Sequence, residues 1–204
     1  MTVKQFFRSK TFLCIVVLLC IALVAGATLS IMNDLLFVDD AERVARTVKN
    51  IYGTQIDYET VYDVEEEMQK APADQVYYRY EGRDRKGATV ELGGHIDNVY
   101  LLADGNYLIK ATGFQGYKQG SVSVWCVARF AAGKFVKIDS VSVAEYEKQT
   151  LMSKFTKSLL AGDDYVGDSQ FNHVESGASY SSDALNNALN AVLAYARGLE
   201  GGAQ

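Results

Sequence analysis

The sequence predicts an α+β fold: a single N-terminal transmembrane helix followed by one extracytoplasmic domain, a mainly antiparallel sheet flanked by helices. Three observations predict it. An uncharged, strongly apolar run fills residues 12–32. Short β-prone segments separated by turns bearing Gly, Asn and Asp fill the middle of the chain, and an amphipathic helical pattern closes it.

The apolar run extends from Phe12 to Met32. As a helix it spans roughly 31 Å, enough to cross a hydrocarbon core. Lys4, Arg8 and Lys10 precede it, whereas Asp34, Asp39, Asp40 and Glu42 follow it. The positive-inside rule therefore places residues 1–10 in the cytoplasm, 11–32 across the membrane and everything beyond Asn33 outside. Ala25-Gly26-Ala27 also fits the cleavage site of a signal peptide. An anchor is the preferred reading, because apolar character continues past that site through Leu29, Ile31 and Met32. Cys20 follows Leu18-Leu19, where lipidation would need a small residue.

Beyond the anchor lie 17 of the 20 Lys and Arg and all 25 Asp and Glu, a net charge of 17 − 25 = −8. So acidic a domain is not expected to bind nucleic acid or an anionic membrane surface. Its length suits one domain with a full core. Cys14 and Cys20 belong to the apolar run, which leaves Cys126 alone outside it. That count excludes an intradomain disulfide and any Cys-based metal or iron–sulfur site, so a redox function would have to rest on an organic cofactor. Cys126, within Ser123-Val124-Trp125-Cys126-Val127-Ala128, reads as a buried core thiol.

The outer domain opens with a helix from Asp39 to Ile51, its apolar face carried by Val44, Val48 and Ile51 and its end marked by Gly53. Tyr58 to Gln69 is acidic and helix-prone, with Val61, Val64 and Met68 on one face. Pro72 marks a break before Gln75 to Tyr80, a predicted strand, and Arg83 to Gly87 is an exposed connection. Strands follow at Asn98–Leu102, Tyr107–Thr112, Ser121–Phe130 and Phe135–Val143, separated by turns such as Asp104-Gly105-Asn106 and Ala132-Gly133-Lys134. Helices are expected from Glu147 to Leu160 and from Ser182 to Leu199. The latter is capped by Ser181 or Ser182 and buries Leu185, Leu189, Val192 and Ala196. The units are thus residues 33–106, membrane-proximal helices and first strands; 107–199, the core; and 200–204, a tail.

Gly113, Gly116 and Gly120 form neither G-x-G-x-x-G nor a P-loop, and no G-x-S-x-G elbow occurs. His95 and His173 lack Cys, Asp or Glu at metal-ligand spacing. No metal site and no independent catalytic site are expected. Ser176-Gly177-Ala178-Ser179-Tyr180-Ser181-Ser182 is different, because small and hydroxyl residues at a helix start let an anion approach outward-pointing N–H groups at the positive end of the dipole.

Those residues resemble the Ser/Thr-Gly-Ala-Thr-x-Thr/Ser signature of FMN-binding domains, in which the hydroxyl after Gly-Ala carries FMN through a phosphoester bond. By that resemblance Ser179 is the attachment residue, with Ser176, Gly177, Ala178 and Ser182 about it. From about Tyr107 to Arg197 the elements arrive in the order of the FMN-binding domain of Rnf and sodium-pumping quinone reductase complexes, and they are most similar to the Rnf G subunit. The N-terminal anchor is also in that family's arrangement. Gly113-Phe114-Gln115-Gly116-Tyr117 is similar to the family's glycine-rich segment, and Gly133-Lys134-Phe135 to its Gly-Lys-hydrophobic turn. Glu147 to Lys154 lies where the family has Glu-Thr-Pro-Gly-Leu-Gly-Ser-Lys. Glu147, Leu151, Ser153 and Lys154 match, while Lys148-Gln149-Thr150 replaces Thr-Pro-Gly. His173 stands where the family usually has Asp, and Ser179 where it usually has Thr.

The resemblance implies covalently attached FMN, with its ring against the glycine-rich segment, Gly113 included, and the Glu147–Leu151 region. It implies a single-pass protein of the bacterial inner membrane, a flavin transferase for maturation, and other membrane subunits of an Rnf-type complex as partners. The function it implies is electron relay coupled elsewhere in the complex to cation movement, since one helix makes no ion path. Two alternatives stand beside it: a free-standing flavinylated carrier, and a non-redox membrane-anchored scaffold that has lost the flavin.

Overall fold

The computed structural model describes residues 10–36, 39–70, 79–84, 86–149, 170–172 and 174–200. They belong to two compact units, Met1–Arg46 and Thr47–Gln204. In the first, helix α1 runs from Lys10 to Leu36. Every side chain from Cys14 to Met32 is exposed, and the helix is apolar all round rather than along one stripe. Thr28 satisfies its hydroxyl within the helix by donating to the Val24 carbonyl at 2.8 Å. Such a helix has the character of a membrane anchor or a signal sequence.

Helix α2 (Asp40–Tyr52) ends in a turn at Gly53, whose φ of 74° is a left-handed value that glycine adopts without strain. Strand β1 (Tyr58–Asp63) and the short helix α3 (Val64–Lys70) divide the segment expected to be one helix. Tyr58, Thr60, Val61 and Tyr62 are aromatic or β-branched, and they take a place in the sheet instead. Asp63 then starts α3 by accepting from the N–H groups of Glu65 (2.8 Å) and Glu66 (3.3 Å).

The remaining strands are β2 (Arg79–Arg83), β3 (Thr89–Leu102), β4 (Tyr107–Gly113), β5 (Val122–Ala131) and β6 (Lys134–Tyr146). All described pairings are antiparallel, in the order β1-β3-β4-β5-β6. β1 and β2 share one edge of the long strand β3, β1 along Asn98–Leu102 and β2 along Thr89–His95. β5 and β6 join through Ala132 (φ 50°) and Gly133 (φ 76°), a tight two-residue hairpin turn.

Helix α4 (Ser179–Leu199) covers one face of this sheet. Leu185, Leu189, Val192 and Ala196 are buried as the helical periodicity predicts, against Ile96, Ile109, Val124 and Cys126 among others. Cys126 is fully buried, and burial pushes its thiol far up. The layers come very close. A Cβ on Gly113 would lie 2.0 Å from the Ala184 carbonyl oxygen, and one on Gly94 would lie 3.0 Å from that of Asn187. On the other face, Tyr100 stands between Tyr58 and Trp125, with ring centroids 5.5 and 6.0 Å away. His95 pairs with Asp97 at 2.7 Å, and Asp97 accepts from Thr112 at 2.7 Å.

The α+β fold read from the sequence is the observed one, with longer strands than expected. β3 begins well before Asn98 because Gly93 and Gly94, which look like turn residues, are strand residues packed against Gly82 and α4. Gln75–Tyr78 of the predicted strand and Thr150–Leu160 of the predicted helix lie outside the described residues. Glu147 to Gln149 is not helical: Lys148 takes a φ of 61° and turns Gln149 inward.

Candidate functional site

The site is built around the first turn of α4. Glu175 to Ala178 makes a reverse turn, with the Ala178 N–H donating to the Glu175 carbonyl at 3.0 Å and Gly177 at a φ of 80°. The helix starts at Ser179, three residues earlier than expected, with Ala178 as its N-cap and no side chain capping it. Ser182 therefore acts from inside the helix. Its buried hydroxyl accepts from the Glu175 N–H at 2.9 Å and donates to the Ala178 carbonyl at 3.2 Å, which closes the turn. Ser176 and Gly177 are exposed at its tip, and Ala178 is buried beneath.

Ser179 is half-buried and lines a cavity of about 620 Å³. Tyr80, Arg83 and Asp84 reach the same cavity from β2 and the turn after it, as do Asn172 and a polar row of α4, Asp183, Asn186, Asn187 and Asn190. Two of these asparagines have structural roles. Asn187 donates to the Phe114 carbonyl at 3.0 Å and exchanges long contacts of 3.4 Å with the Arg83 backbone. Asn190 pairs with both backbone groups of Phe171, at 2.7 and 3.0 Å. Burial raises the Tyr80 phenol above its ordinary value, while the Arg83 charge draws it partly back, so Tyr80 is a neutral hydrogen-bonding group at physiological pH.

A second cavity, of about 420 Å³, adjoins the first through Asp84, which lines both. Lys86, Tyr180 and the loop Gln115–Gln119 complete it. The loop is strained: Gln115, Lys118 and Gln119 all have left-handed φ values, of 71°, 52° and 59°.

The residues singled out in the sequence are thus partly brought together. Ser176, Gly177, Ala178, Ser179 and Ser182 form one turn. Glu147 is exposed and paired with Lys148 at 3.0 Å, and its backbone carbonyl joins the turn only indirectly, through Gln149. Gly113 lies under α4, where its missing side chain gives room to Ala184 and Ala188. Leu151 and His173 lie outside the described residues. Sequence reasoning missed Tyr80, Arg83, Asp84, the asparagines and Gln149. One signal was available: Asp183, Asn186, Asn187 and Asn190 repeat at i, i+3, i+4 and i+7, a polar face on a helix that otherwise buries leucines.

These groups could hold a small phosphorylated organic ligand. Ser179 lines open volume, Arg83 supplies positive charge beside the carboxylates of Asp84 and Asp183, the helix start supplies its dipole, and amide side chains offer both donors and acceptors. The volume lies within the range of small-molecule sites. In comparisons with known proteins, no family model, no curated protein and no solved structure matches the chain.

Proposed function

We propose that the protein is a single-pass flavoprotein of the bacterial inner membrane. It carries FMN on Ser179 through a phosphoester bond and relays electrons within an Rnf-type ion-translocating complex. The observation that carries this reading is Ser179 itself, within a signature-like turn at an uncapped helix start and facing a cavity that Arg83 and amide groups line. α1 is the anchor, with residues 1–10 cytoplasmic.

Attachment uses the Ser179 oxygen as the bridging atom. It displaces the leaving group of an activated flavin phosphate donor held by a flavin transferase, and the hydroxyl proton departs with that group. Arg83 and the first turn of α4 would hold the phosphate charge, and Asn172 and Asn186 would offer hydrogen bonds to a polyhydroxyl chain. The flavin, when bound, supplies the electron acceptance and donation, and the protein supplies position and electrostatics.

The test is co-expression of the full chain with a flavin transferase, followed by a denaturing gel viewed under ultraviolet light. The expected result is a fluorescent band at the position of the chain that Ser179→Ala abolishes and Ser179→Thr retains. A dark wild-type band beside a flavinylated control protein would overturn the reading and favour the scaffold alternative.

A further inference from the structure

By the resemblance described above Gln149 takes the place of a proline, and its side chain makes contacts that no proline can make. The amide is 5 % exposed and fully used. Its oxygen accepts from the Tyr117 N–H at 3.0 Å and from the Ser181 hydroxyl at 2.7 Å. Its nitrogen donates to the carbonyls of Glu147 at 2.6 Å and Tyr117 at 3.3 Å. Two donors and two acceptors are all that a primary amide offers. Gly116 and Gly120 make space for it, since a Cβ at either would lie 2.8 or 2.5 Å from its nitrogen. The strained loop Gln115–Gln119 is therefore fastened by one side chain to the first turn of α4, two residues beyond Ser179.

We propose that Gln149 is a positioning residue. Its amide holds the loop as one wall of a seat for the planar ring of the group carried by Ser179, with Tyr117 and Tyr180 as the aromatic surface of that seat. The inference rests on the flavin reading and adds a division of labour between the two cavities. The larger, with its amides and Arg83, suits phosphate and hydroxyls. The smaller begins at Tyr180, the next residue after the attachment point, and carries aromatic surface. Tyr117 and Tyr180 remain 41 % and 44 % exposed and meet edge to face at 6.3 Å, which leaves ring surface to stack upon. The Lys118 ammonium lies 5.4 Å from the Tyr117 ring centroid and Lys86 lines the same cavity, so positive charge stands beside a ring that gains electrons.

The experiment compares flavinylated full-length variants by native flavin emission per attached flavin, the attached amount being measured after denaturation. Tyrosine in contact with a flavin quenches its emission by electron donation, and phenylalanine does not. Wild type is expected to be strongly quenched. The Tyr117→Phe/Tyr180→Phe double variant should brighten several-fold, whereas Tyr80→Phe should not. Gln149→Ala should keep its attached flavin yet brighten similarly. Gln149→Glu, which keeps an acceptor but loses both donors, should fall between. If Gln149→Ala does not fold, Ser181→Ala, which cuts one arm of the clamp, is expected to brighten partially.

Wild-type emission from well-folded, flavin-bearing Gln149→Ala would overturn the inference. So would brightening confined to Tyr80→Phe, which would put the ring in the larger cavity. A wild-type chain with no attached flavin would instead defeat the underlying reading, and the denaturing gel tells that case from the other two.

Discussion

Gly113 measures how closely α4 approaches the sheet, because an added methyl would collide with the backbone of Ala184 and Ala188. Backbone cannot swing aside as a side chain can, so the helix itself would have to move. Gly113→Ala is expected to destabilise the domain by about 1–3 kcal/mol or more, which a shift in the denaturant midpoint would register. Equal midpoints would mean that the layers separate more readily than this packing implies. Asn190 presents the opposite case, a polar side chain that belongs in the interior because it completes the backbone of Phe171. Asn190→Leu keeps the branched shape, adds bulk and strands a buried N–H and C=O, a loss of about 1–3 kcal/mol; unchanged unfolding would show that water takes over the pairing. Ser179 could be singled out as a candidate in the sequence because its motif is contiguous. Arg83 and Asp84 were not, because only the pairing of β2 with β3 under α4 brings them to a helix start about a hundred positions away.

The end of α2, the β3–β4 turn and the β5–β6 hairpin are joined by charge as well as by packing. Arg129 bonds Asp139 at 2.7 Å and Asp104 at 3.2 Å, and its guanidinium lies 5.0 Å from the Tyr52 ring centroid. For Asp104, burial opposes ionisation, but hydrogen bonding from Asn106, the nearby Tyr52 hydroxyl and the Arg129 charge outweigh it and hold the carboxyl below its usual value. A folded-state pKa below the unfolded one contributes stability that is present above about pH 4 and is lost as pH falls through the folded value. Asp104→Asn should therefore show a shallower acid loss of stability than wild type in unfolding curves taken from pH 5 downward. Superimposable acid limbs would remove Asp104 from the account.

Tyr52 carries the mirror-image prediction. Burial and the adjacent Asp104 push its hydroxyl to about 12. Its contribution is complete below the unfolded value of about 10 and disappears as pH rises through the folded one. Tyr52→Phe should lose less stability than wild type between those limits. Strand and helix periodicities made most elements readable, and β1 shows where they mislead. Val61, Val64 and Met68 fit a helical face, yet Tyr58 to Asp63 pairs with Asn98–Leu102, a partner that local spacing does not reveal. Gly93 and Gly94 concealed the length of β3 for a related reason, since glycine reads as a turn until the helix pressing on it is known.

For the molecule as a whole, the N-terminal helix and the charge balance lead to a prediction about where the chain is found. An anchored chain stays in the membrane pellet after alkaline carbonate extraction and keeps its full 22.4 kDa mass. A chain cut after Ala27 would instead appear in the soluble fraction and lack its first 27 residues. The expected outcome is the pellet and the intact mass. The order of the elements also has a consequence for synthesis. Among the described residues the last strand ends at Tyr146, whereas α4, which covers one face of the sheet, begins at Ser179. A growing chain emerges N-terminus first, so Ile96, Ile109, Val124 and Cys126 lack the cover of α4 until that helix is made. Nascent chains that stop short of α4 should collect in aggregates or on chaperones. A chain that has its described strands but not yet α4 is thus the form that shows most bare apolar sheet, and it depends on protection until that helix has been made.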